Sequence, residues 1–203
     1  MFRAVRRGLP FPRTHPVFPT TSSSDGPAVH TDLSPVIAAT AQWLTRAYPA
    51  SGGALAEALC EVQARQAVTV AARLRYPSPM DVALLGVAGP GGSARLDWIT
   101  GADGVTPTDP DADAWRTWVD EVVASWAACL LTDPALAEPA VTALAGGGPS
   151  AGTPAEFRRL LAPDDADRRA AALLRHPDLV APVAALHHAG LTARLDPGQA
   201  LVA

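Results

Sequence analysis

The chain has 203 residues, 48% of them hydrophobic, which is enough for one ordinary domain with a real core and excludes a chain that is disordered throughout. Sixteen basic residues against twenty acidic ones leave a net charge of −4, which recommends neither nucleic acid nor an acidic surface as partner. All sixteen are arginines, and the absence of lysine excludes Schiff-base catalysis, the lysine of a phosphate-binding P-loop and a Ser-x-x-Lys nucleophile.

Asparagine is missing too, while Ala, Pro and Gly abound, which is the codon signature of a GC-rich bacterial genome. The two cysteines, Cys60 and Cys129, both fall in helical patterns and read as reduced, packed thiols. No run of 18 uncharged apolar residues occurs, so no membrane span is expected. The Arg6-Arg7 pair is not followed by an apolar segment, which argues against a secretory or twin-arginine signal. Cytoplasm is the expected location.

In chain order, residues 1–33 read as an extended arm rich in Pro, Ser, Thr and Arg. "SPVIAATAQWLTRAY" then opens a helix with Ser34 as N-cap and Pro35 at its first position, and Ile37, Ala41, Leu44 and Tyr48 share one face. After "PASGG", a helix of about 22 residues runs to a stop at Pro77. The stretch 82–100 is ambiguous: Ser78 and Asp81 form a capping-box pattern, yet "VALLGVA" and "ARLDWIT" flank "GPGG" like two strands about a turn. The alternation of Leu96 and Trp98 with Arg95 and Asp97 favours a β-hairpin.

"AWRTWVDEVVASWAACLL" carries the clearest apolar stripe: Trp115, Trp118, Val119, Val122, Trp126, Cys129 and Leu130 recur at steps of three and four. Three short helices follow, "PALAEPAVTAL", "PAEFRRLL" and "DADRRAAALLRH", with a flexible break at 146–152 between the first two. "LLRHPDLVAPVAALHHAGL" supplies another helix, and "LTARLDPGQALVA" reads as a terminal hairpin about Pro197-Gly198. The expected fold is mainly α: a single compact helical domain over 34–203 of five to seven helices with one or two minor β-hairpins, preceded by the arm.

Chemistry is sparse. His187 and His188 are adjacent and so diverge by about 100° around a helix axis, whereas two ligands on one helix need to lie a turn apart. With Asp178 they are the weak candidates for a catalytic or ligand-binding role, and packed or surface histidine is the favoured reading. Asp109, Asp111 and Asp113 imitate half of a calcium loop, but Ala114, Arg116 and Asp120 break the remainder; helix capping explains them better. Trp115, Trp118 and Trp126 read as core or interface rather than as a ligand pocket. Neither glycine-rich stretch has the strand-turn-helix context of a phosphate cradle. Asp164 and Asp165 neutralise Arg168 and Arg169 four residues on.

Residues 130–148 align with 173–191 at an offset of 43, keeping Pro134 with Pro177 and Pro139 with Pro182 but none of the histidines. A helical repeat would give such an offset, and so would chance in a chain this rich in Ala, Leu and Pro. The arm is the most unusual feature, since Arg3, Arg6, Arg7 and Arg13 alternate there with Phe2, Phe11 and Phe18.

The leading expectation is a non-catalytic interaction or assembly subunit that binds a protein partner through this arm and an aromatic helix face. The alternative is a small-molecule enzyme or ligand-binding domain using His187, His188 and Asp178. A third reading is an accessory nucleic-acid binder with weak, salt-sensitive affinity. No metal and no cofactor are expected.

Overall fold

The computed structural model describes residues 32–104, 111–145 and 154–196. The arm up to residue 31, the break at 146–152 and the Pro197-Gly198 turn lie outside the described residues. Ten α-helices form the described part: α1 (Ser34–Ala47), α2 (Ala54–Arg75), α3 (Pro79–Ala88), α4 (Ala94–Thr100), α5 (Glu121–Thr132), α6 (Pro134–Ala145), α7 (Arg158–Leu161), α8 (Asp165–Ala170), α9 (Pro177–Ala184) and α10 (His188–Leu195).

No strand occurs among the described residues, so the hairpin expected at 82–100 is replaced by α3 and α4. The capping box wins there: Ser78 Oγ accepts from Asp81 N–H, and the Asp81 carboxylate accepts from Ser78 N–H at 3.0 Å. Gly89 and Gly92, at φ of +70° and +76°, then turn the chain into α4. Leu96 is buried while Trp98 is 71% exposed, as two residues 200° apart on a helix must be and two on one strand face are not. The terminal hairpin is likewise corrected where it is described, because 191–195 continues α10.

Two other expectations shift at helix ends. Ser34 is the first helical residue of α1 rather than its cap, and Asp32 Oδ1 accepts its N–H at 2.8 Å. The long aromatic stripe is not one helix: Ala114–Trp118 is a short 3-10 turn, and extended Asp120 starts α5 by accepting the Val123 N–H at 2.9 Å.

The core forms around α2 and α5. Residues 123–131 of α5 are all buried, so this helix is enclosed on every side, by α1, α2, α6, α9 and α10. On α2, Ala64, Ala67, Ala71 and Ala72 are fully buried, and their small side chains let neighbouring helices approach closely. Leu44, Val68, Leu130, Phe157 and Leu174 fill the remaining space, each contributing about 1.5–3 kcal/mol of transfer free energy.

Cys60 and Cys129 are free and buried, and burial pushes both thiols up to about 11. Tyr76 donates to the Asp120 carboxylate, and burial followed by that bond raises its phenol well above the usual range; burial also raises Tyr48. The sign follows from linkage. Below the ordinary thiol value of about 9 folded and unfolded chains hold the same protons, and above it the unfolded chain loses protons that the folded one retains. Stability is therefore expected to fall as pH rises from about 9 to 11, with the phenols adding to the loss above about 10. Urea midpoints measured across this range test it, and Cys129→Ala is expected to flatten the slope.

α3 stands apart from the other helices. Of its ten residues only Leu85 is buried, with Asp81 and Val82 half-buried beside it. Met80, Ala83, Leu84, Gly86, Val87 and Ala88 are exposed, so its outward half carries no polar side chain. A Cβ placed on Gly86 would meet nothing within 4 Å. Gly86→Ala is therefore expected to stabilise the domain by about 0.5–1 kcal/mol through helix propensity, read from urea unfolding.

Candidate functional site

The sequence singled out the region of His187, where the chain turns from α9 into α10. His187 is the N-cap residue of α10, and three of its groups are held by α5. Its N–H donates to Ser125 Oγ at 3.0 Å, its carbonyl accepts from Trp126 Nε1 at 3.0 Å, and its Nε2 lies 2.7 Å from Glu121 Oε1. Glu121 Oε1 also accepts from Arg95 at 3.3 Å, so one carboxylate sits between an imidazole and a guanidinium. Ser125 Oγ in turn donates to the Ala184 carbonyl at 2.9 Å, which occupies the only proton it could give a base. A histidine oriented by a carboxylate is the raw material of acid–base catalysis, and the same ring and the Ser125 hydroxyl tie the start of α10 and the end of α9 to α5.

The other candidates are not brought to this place. His188 is exposed and faces a shallow groove with Thr132 and Asp133, floored by alanines of α9 and α10. Asp178 is exposed in the first turn of α9, where a carboxylate favours the helix dipole. His176, the N-cap residue of α9, makes no side-chain cap bond and is exposed. Hence His187, His188 and Asp178 do not share one site.

Among the described residues no group of three or more His, Cys, Asp or Glu side chains is placed to hold a metal ion. Asp109 lies outside the described residues. Asp113 pairs with Arg46 and Arg116, each at 3.6 Å, and the Asp111 carbonyl accepts the Ala114 N–H.

The tryptophans take different positions. Trp126 is buried in the core, whereas Trp115 and Trp118 are half-buried against it. The Arg46 and Arg116 guanidinium carbons lie 5.1 and 5.3 Å from the Trp115 ring centre, within cation–π range.

Two polar hubs escaped the sequence reading. Asp97 of α4 accepts from Trp43 Nε1 at 2.9 Å, from Arg116 at 2.8 Å on both oxygens, and from Ser93 Oγ at 2.7 Å. Arg175 donates to Gln63 Oε1 at 2.6 Å and to the Leu131 and Arg159 carbonyls at 3.1 and 2.8 Å. Gln63, fully buried, donates onward to the Asp167 carbonyl at 2.9 Å, and the Asp167 carboxylate pairs with Arg159 and closes the capping box of α8. Arg168 pairs with Asp165 at 3.4 Å on the surface, while Asp164 caps α8.

The aligned stretches 130–148 and 173–191 share a helix start, since α6 begins at Pro134 and α9 at Pro177, with Pro139 and Pro182 inside them. They differ beyond it, because α6 runs for 12 residues and α9 for 8.

No family model, no curated protein sequence and no solved structure matches the chain.

Proposed function

We propose that the protein is a non-catalytic assembly subunit that engages other protein chains through the outward half of α3 and through its N-terminal arm. The observation that carries this reading is the surface of α3, on which Met80, Leu84 and Val87 are 68%, 60% and 90% exposed with no charge between them. Single exposed apolar residues are ordinary, but a contiguous uncharged helix face is the mark of a contact surface. Among the described residues the aromatic side chain open to solvent is Trp98 of α4, which takes the place in this reading of the stripe at Trp115, Trp118 and Trp126.

The disposition of polar groups supports the same reading. Glu121, His187, Ser125, Asp97 and Asp167 each spend their hydrogen bonds inside the domain. The arm adds Phe2, Phe11 and Phe18, which supply area to bury, and prolines, which limit the entropy lost on ordering.

The test compares three purified chains, full length, lacking residues 1–30, and Val87→Glu, in affinity capture followed by reconstitution with any stoichiometric protein partner. The expected result is a partner released by at least one of the two changes while the melting temperature holds. Association untouched by both changes contradicts the reading. So does turnover of a small substrate that His187→Ala with His188→Ala abolishes at unchanged stability, which would establish the enzyme alternative. Nucleic-acid binding that falls steeply with salt would establish the third.

A further inference from the structure

We draw no further inference here: the strongest candidate, the cavity of about 410 Å³ between the end of α1 and the start of α2, is walled by Arg46 and Glu61, which already pair with Asp113 and Arg65, and nothing in the structure shows what fills it.

Discussion

Replacing Arg175 with alanine is expected to destabilise the domain by about 3–5 kcal/mol, because it leaves several half-buried acceptors without their donor. The guanidinium is a three-way strut: it ties α2, through Gln63, to the end of α5, through the Leu131 carbonyl, and to α7, through the Arg159 carbonyl. Burial pulls its pKa below the ordinary arginine value, with the Asp167 carboxylate acting in the opposite direction. Arginine nevertheless remains charged. Removing it orphans the Gln63 amide oxygen and two carbonyls in a water-poor region, and each unpaired group costs about 1–3 kcal/mol. For a domain of this size the melting temperature is expected to fall by about 10 °C or more. Arg175→Lys keeps the charge but loses the planar fork, so little of the loss is expected to return. A thermal melt of the three proteins checks the result, and a fall of less than 3 °C for Arg175→Ala would show that the network is marginal.

Asp97→Ala is the second large effect, at an expected cost of about 2–4 kcal/mol. The carboxylate is the acceptor for three donors from three places in the chain, Trp43 of α1, Ser93 before α4 and Arg116 of the 3-10 turn. Trp43 is 2% exposed, so its indole N–H has no water to turn to when the acceptor goes. Asp97→Asn is expected to lose less, since its amide oxygen still accepts from one donor while its NH2 group opposes the guanidinium. A double-mutant cycle of Asp97→Ala with Trp43→Phe in urea isolates the indole bond, with a coupling of about 1 kcal/mol or more expected.

Local punctuation made some of the fold legible. α2 begins after Gly52-Gly53 and ends before Pro77, and its 22 residues were readable because glycine and proline mark both ends. The break before α5 was not readable, because Val119 fits the apolar period and Asp120 looks like an ordinary polar position. What divides the helix is the use of the Asp120 side chain as a cap, a choice made by its contacts with Val123 and Tyr76. At 82–100, four residues of alternation could belong to a strand or to a slice of helix, and the capping box at Ser78 was the more specific signal.

The candidate site divides in the same way. His187 sits in the turn between α9 and α10, so no helical spacing carries over to it from α9, and its partners Trp126, Ser125 and Glu121 lie 61, 62 and 66 residues away. No local pattern encodes such a pairing. Asp97 and Arg175 stayed hidden for the same reason, since their roles are set by helices that meet only in the folded chain. Once "PMDVALLGVA" is set on a helix, its only charged side chain, Asp81, is engaged in the capping box at Ser78, and the exposed Met80, Leu84 and Val87 fall within about 60° of one another around the axis.

Hydrogen exchange of the α3 amides, compared between the dilute chain and the chain saturated with its protein partner, tests the assembly reading at the surface that carries it. The account predicts that residues 79–88 gain protection in the assembled state, while those around His187 and Glu121 stay as they were. Unchanged exchange in α3, with new protection at His187, Glu121 and Arg95 on adding a small molecule, would contradict it and move the function to the histidine.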